Sequence, residues 1–273
     1  MTKEILHSEP MIRLGMFLGI FTLMAIWEYF GPRREQPISR SRRWPGNLGV
    51  ALLDTVLTRL IAPTGAVGFA MLAEARGWGV LNLVALPAWL DLLLALLLLD
   101  LAIYLQHRLF HYVPVLWRLH RMHHADLHFD VTTGARFHPV EILLSLGLKF
   151  VVIVPLGASP LAVLLFEIAL NATAMFNHSN VRVPQAVERV LRLLVVTPDM
   201  HRVHHSIVRR ETDSNFGFNL PWWDRLFGTY RAQPEAGHEA MTIGIEQFRD
   251  PSELRLDRML VQPFRERGTT KPL

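Results

Sequence analysis

The sequence predicts an all-α fold: an integral-membrane bundle of about four or five transmembrane or re-entrant helices, capped on its cytoplasmic side by helices rich in histidine. Three observations predict it. Of the 273 residues, 51% are hydrophobic and only 19% are charged, too apolar for an ordinary soluble domain of this length. Long apolar runs recur through the first two thirds of the chain, several of them able to cover a hydrocarbon core of about 30 Å. Histidine, 13 residues in all, gathers in three patches beside those runs, spaced to share one face of a helix.

The elements follow in order. Residues 11–30, MIRLGMFLGIFTLMAIWEYF, form the first span and end in the aromatic belt Trp27, Tyr29 and Phe30. A signal peptide is the poorer reading, because Glu4 and Glu9 dilute its positive start and no small-residue cleavage site follows. The next segment, GPRREQPISRSRRWPGN, carries Arg33, Arg34, Arg40, Arg42 and Arg43, against Lys3 and Arg13 on the other side, so the positive-inside rule makes the Arg-rich side cytoplasmic. Residues 47–73 read as a second span and 80–105, with LLLALLLLDLAIYL, as a third that delivers His107 to the cytoplasmic face. Residues 140–155 and 160–177, split by PLGASP, read as a helical hairpin whose first arm is short and carries Lys149. The pieces flanking the hairpin, 107–138 and 178–273, then share one compartment. The chain divides into N-terminal spans with a basic loop (1–94), a histidine-bearing domain that includes the 140–177 hairpin (95–232) and a C-terminal cytoplasmic tail (233–273).

The histidine patches are HRLFH (His107, His111), HRMHH (His120, His123, His124) and HRVHH (His201, His204, His205). A lone helix histidine reads as exposed or hydrogen-bonded, and His7 and His238 are assigned to that class. Eight at helical ligand spacing read as a metal site, because packed imidazoles repel one another when protonated and a shared cation compensates them. Imidazole suits iron, copper, nickel and zinc alike. Number discriminates further: one zinc is satisfied by four ligands, so eight donors point to two metal ions. The Glu-x-x-His pairs of soluble di-iron bundles occur only as Glu4 to His7, at a terminus, and are set aside; no H-E-x-x-H motif occurs. Cysteine is absent, which excludes disulfides, thiolate zinc, iron–sulfur clusters and thiol nucleophiles. The best fit is a nitrogen-rich pair of irons. With no G-x-G-x-x-G loop either, electrons must come from outside the chain. The small net charge of +4, with basic residues beside apolar runs and no nucleic-acid motif, indicates a membrane and no nucleic acid as partner.

Together with RFHPVE at 136–141, NHSN at 177–180 and the segments ETDSNFG and WWDRLFGTY within 211–230, these boxes resemble the fatty acid hydroxylase/sterol desaturase superfamily over about residues 95–232. The resemblance implies a non-haem di-iron centre at the cytoplasmic mouth of a transmembrane bundle, with O2 as co-substrate. It implies hydroxylation or desaturation of a C–H bond in a lipid such as a sterol, a fatty acyl chain or another membrane lipid. The eight box histidines carry over as catalytic metal ligands and His178 as a ninth; where some relatives place a further donor four residues earlier, this chain has Ala174. His138 and Glu141 either carry over as partners behind the ligands or form a polar pair at the membrane interface. The HxxxH spacing and the short distance between the first two boxes are more similar to the hydroxylase and sterol desaturase branch than to the acyl-CoA desaturases. The resemblance further implies a ferredoxin- or cytochrome-type electron donor and an inner-membrane location with the metal site facing the cytoplasm.

Several residues carry two readings. Asp100 shares a helix face with Tyr104, His107 and His111, so it either orients one of those rings or bonds Arg59 or another span. Asp199 either holds a ligand ring or caps its helix, and His128, one turn from His124, is placed to join the cluster. Trp222, Trp223 and Phe227 read as an interface anchor or packing cap, and Arg108, Arg121 and Arg202 as headgroup or helix-end charges. Two rival functions are a metal-ion transporter, whose ligands belong near mid-membrane, and a membrane protein holding structural zinc.

Overall fold

Twenty-two residues of α-helix measure about 33 Å, a full hydrocarbon thickness, and that is the length of both α1 (Glu9–Phe30) and α2 (Arg40–Ile61). The computed structural model describes residues 8–265, so the Glu4 and His7 pair lies outside the described residues. The expected second span, 47–73, is two helices. α2 begins at Arg40 and stops at Ile61, because Pro63 offers no N–H and disfavours helix at the residue before it. Gly65, at φ +56°, then turns the chain into α3 (Gly65–Arg76). Twelve residues, about 18 Å of helix, do not cross. α3 packs instead against the far ends of the hairpin, with Phe69 stacked on Phe150 at 3.7 Å.

The third long helix, α4 (Ala88–Tyr112), starts later than expected and runs on past 105, carrying His107 and His111 on its own last turns. After α5 (Pro114–His124) comes the hairpin of α6 (Pro139–Leu156) and α7 (Pro160–Asn177), as the sequence indicates. Each of these three begins with proline, whose missing N–H is no loss in a first turn. Gly157 in the left-handed region closes α6, and the Ser159 hydroxyl accepts from Ala162 N to open α7. Lys149 is reconciled with its apolar helix by donating to Glu167 of α7 at 2.5 Å, while Arg13 of α1 donates to the other Glu167 oxygen at 2.6 Å. A charge inside a bundle is stable only when paired in this way.

By length and composition, five helical stretches are able to cross a membrane: 9–30, 40–83, 88–112, 139–156 and 160–177. They surround an apolar core of Ala70, Ala95, Leu99, Ile103, Ala162 and Phe166 with Phe218. Above one end sits the cap, built from α5, the loop 125–138, α8 (Gln185–Leu191), α9 (Pro198–His204), the loop 213–231 and a strap that includes α10 (Leu256–Val261). Among the described residues the β-pairing is confined to two isolated bridges, Pro32 to Val181 and Ser206 to Ile243.

The cap is locked to the spans by an arginine. Arg43 of α2, counted with the Arg-rich segment after α1, is fully buried: Nε and Nη2 donate to the two Asp126 oxygens at 2.9 and 2.8 Å, and Nη1 to Asp130 at 2.5 Å. Asn47, one turn on, donates to Asp126 and Thr132 and accepts from Arg136. Burial would raise the Asp126 pKa, but Arg43 and Arg136 overcome it and hold the carboxyl below its usual range. Glu28, at the end of α1, accepts from Val131 N and Asn180 N at 2.7 and 2.8 Å. Arg121 and Arg202 are likewise structural: Arg121 donates to the carbonyls of Gln262 and Arg265, and Arg202 is buried against Asp199 and over Phe129.

The strap crosses α2 where a side chain would block it, since a Cβ on Gly46 would stand 2.1 Å from the Leu254 carbonyl oxygen. Gly46→Ala is expected to lift the strap and destabilise the cap by about 1–3 kcal/mol, read as a lower melting temperature and faster proteolysis beyond residue 240; an unchanged melting temperature would contradict this packing.

Candidate metal centre

Residues three, four and seven apart on a helix share a face, and four helix ends bring such faces together. The last turns of α4 present His107 and His111, α5 presents His120, His123 and His124, α9 and its end present His201, His204 and His205, and His178 ends α7. All nine rings are buried, between 0 and 3% exposed. They fall into two groups: His107, His111, His120, His124 and His204, and His123, His178, His201 and His205. Within each group the ligand atoms lie within 4.8 Å of one another.

The ring partners define which nitrogen faces inward. Nδ1 of His107 meets the Phe216 carbonyl at 2.7 Å, that of His178 the Ala174 carbonyl at 2.7 Å, that of His204 the Ser214 carbonyl at 2.7 Å and that of His123 the Arg136 carbonyl at 3.2 Å. A carbonyl only accepts, so each of these Nδ1 atoms carries the proton and each Nε2 is a bare lone pair. His120 Nδ1 is bound to Glu141 at 2.6 Å and His111 Nδ1 to Asp213 at 3.3 Å, which fixes two more rings in the same sense.

The inward Nε2 atoms then crowd together. His123 and His178 approach to 3.1 Å, His201 and His178 to 3.0 Å, His107 and His120 to 3.1 Å, and His124 and His120 to 3.2 Å. In the pairs His123–His178 and His107–His120 every Nδ1 is engaged elsewhere, so two lone pairs face each other at that distance and repel. Protonation does not relieve them, because burial first and neighbouring histidines next push His123, His124, His201 and His205 well below the usual histidine pKa, while His178 falls to about 3. A shared cation does relieve them. Metal–imidazole bonds of about 2.0–2.1 Å separate two donors by about 3.0 Å at octahedral angles and about 3.4 Å at tetrahedral ones. The Nε2 atoms of His204 and His205 are buried with no hydrogen-bond partner among the described residues, which fits a metal in each group.

The shell behind the rings is built by loops. Asp224 accepts from the N–H groups of Phe216 and Gly217, each at 2.8 Å, and so aims the Phe216 carbonyl at His107. Asp100 touches neither ring expected of it: it accepts from Asn219 and from Trp223 Nε1, each at 2.8 Å, and anchors the same loop to α4. Arg59 instead lies near Glu9. Asp199 pairs with Arg202, and the Thr197 hydroxyl, not Asp199, caps α9. His138 caps α6 and bonds the Leu260 carbonyl, and His128 stands outside both groups. His238 is buried beside Asp199, also outside them. Trp222 bonds the Leu193 carbonyl and Phe227 stacks on Tyr104, so that aromatic group packs the loop. The Ala174 carbonyl serves His178, and a Cβ on Gly134 would meet that carbonyl oxygen at 2.7 Å. The backbone acceptors and Asp213 were missed by sequence reasoning; a carbonyl has no residue signature, and ETDSNFG marked the loop without the roles.

Residues 92–229 match the fatty acid hydroxylase family model. Similar proteins include the ornithine lipid hydroxylase OlsE of Rhizobium tropici, 34% identical over 67% of this chain and 53% of that one. The alkylglycerol monooxygenase of Homo sapiens is 30% identical over 55% of this chain and 32% of its own length, and the cholesterol 25-hydroxylase of Rattus norvegicus 29% over 59% and 53%. The chain thus spans about half, or less, of these relatives. No solved structure matches significantly.

Two outcomes are expected. In chelator-treated protein the depressed histidine pKa values mean that the unfolded chain takes up protons first: stability is fully present above about pH 6.5 and is lost as pH falls from there toward about 3. Melting in detergent from about pH 8 to about pH 5 checks this, and a flat profile would contradict it. Glu141→Gln, which leaves His120 a neutral acceptor, should weaken metal retention by about 10–100-fold in chelator competition.

Proposed function

The chain belongs to the fatty acid hydroxylase family, and on that footing we propose that it is a membrane-bound, O2-dependent oxidoreductase that hydroxylates an aliphatic C–H bond of a lipid. His107, His111, His120, His124 and His204 would hold one iron, and His123, His178, His201 and His205 a second. The single observation that carries the reading is the set of four ring pairs whose Nε2 atoms lie 3.0–3.2 Å apart. Two irons held there would supply the activation of O2 needed to break an unactivated C–H bond. The overall balance is R–H plus O2, two electrons and two protons giving R–OH and water.

The chain's own residues supply the rest. Phe137 stacks on His123 at 4.4 Å, and Phe218 lies 5.0 Å from His107 and continues into the apolar core between α4, α6 and α7. An aliphatic chain in that core would lie against the rings with water excluded. Lipid would then reach the site from the bilayer. The relatives' names specify an ornithine lipid, an alkylglycerol and cholesterol; what these share, an aliphatic lipid body, is the substrate class proposed here. The Arg-rich segment after α1 supports a cytoplasmic cap, an inner-membrane location and a soluble ferredoxin- or cytochrome-type donor. A transporter fits less well, since its ligands belong near mid-membrane on an open path, whereas these rings sit at helix ends in a closed chamber.

The test is purified protein in lipid, loaded with iron and given a reductant. Two irons per chain are expected, with O2 uptake that requires the reductant and a lipid product heavier by about one oxygen atom. Tightly held zinc without turnover after iron loading, or metal movement across vesicles without product, would overturn the reading. His123→Ala and His204→Ala are each expected to lose iron and activity while still inserting in the membrane.

A further inference from the structure

We propose that Trp117 is the residue through which electrons from the external donor reach the first histidine group; the proposal rests on the oxygenase reading above. The ligand rings are at most 3% exposed, so a donor protein cannot touch one and its electrons must cross a protein side chain. Six aromatic residues lie against ligand rings: Phe110, Trp117, Phe129, Phe137, Phe216 and Phe218. Phe110, Phe129, Phe216 and Phe218 are buried. Phe137 is half-buried but packs into the bundle core, on the lipid side. Trp117, also half-buried, belongs to the cap instead, where it packs against Ala125, Ile245 and Phe248.

Its contacts with the site are broad. The indole centroid lies 5.0 Å from His111, 5.4 Å from His124 and 6.3 Å from His120, three of the five rings of one group. Trp117, His120 and His124 stand at i, i+3 and i+7 on α5, so one helix face runs from the surface into the site. The largest π system among these aromatics therefore bridges solvent and ligands in a single step. The balance is simple: two reduced one-electron carriers are oxidised, two ferric ions become ferrous, and the indole passes each electron without net oxidation.

The experiment mixes iron-loaded full-length protein anaerobically with a reduced [2Fe–2S] ferredoxin as probe and follows bleaching of the ferric absorption. Trp117→Leu and Trp117→Met are compared with Phe129→Leu, which removes a buried aromatic from the rings of the second group. With iron content equal to wild type, both Trp117 variants are expected to be reduced about tenfold more slowly or worse, and Phe129→Leu at the wild-type rate. Wild-type rates in a loaded Trp117 variant, equal slowing in Phe129→Leu, or loss of iron from both Trp117 variants would overturn the proposal, the last by making Trp117 a wall of the site. Failure of the wild-type protein itself to load iron or to be reduced would overturn the oxygenase reading instead.

Discussion

Nine imidazoles share one buried chamber, and the fold is organised by the requirement that they stay neutral while their ring nitrogens crowd toward each other. Burial alone makes protonation expensive, and each neighbouring ring adds to that penalty. Neutrality leaves one N–H per ring to be satisfied. For six of the nine rings the surrounding chain delivers the acceptor: backbone carbonyls at residues 136, 174, 214 and 216, and the side chains of Asp213 and Glu141. Asp100 and Asp224 act one step further back, holding the loop that carries two of those carbonyls.

The membrane bundle and the cap depend on each other through buried charge. Arg43 reaches out of α2 to Asp126 and Asp130, two residues of the loop that follows the HRMHH helix. Such a pair is costly to split, about 3–5 kcal/mol when one partner is removed, so the first spans are fixed in place relative to the histidine rings. At the other end of the bundle Glu167 does the same for the hairpin by joining Lys149 and Arg13. The lipid-facing helices are therefore part of the geometry of the site and not merely its anchor.

Much of this was legible in the sequence because it follows from periodicity and hydropathy. The helix-face spacing of HRLFH, HRMHH and HRVHH anticipates which rings converge, and the hairpin limits fall within one residue of α6 and at the ends of α7. The break at Pro63 was hidden inside 47–73, a largely apolar stretch whose hydropathy outweighs a single proline. Arg43 read as one more charge of the Arg-rich cytoplasmic segment because position beside a span and burial against two aspartates have the same local sequence signature. Asp100 shared a face with His107, and only the tertiary return of residues 219–223 reveals that its partners lie elsewhere. His178, reached by family likeness, owes its place to the hairpin returning α7 to the cap, a tertiary fact.

The central claim is that the two groups of rings each enclose one cation. Anomalous diffraction at the iron edge from crystals of the iron-loaded protein tests it most directly. The account predicts two peaks, one among His107, His111, His120, His124 and His204 and one among His123, His178, His201 and His205. A single peak, or metal bound away from these rings, would contradict it.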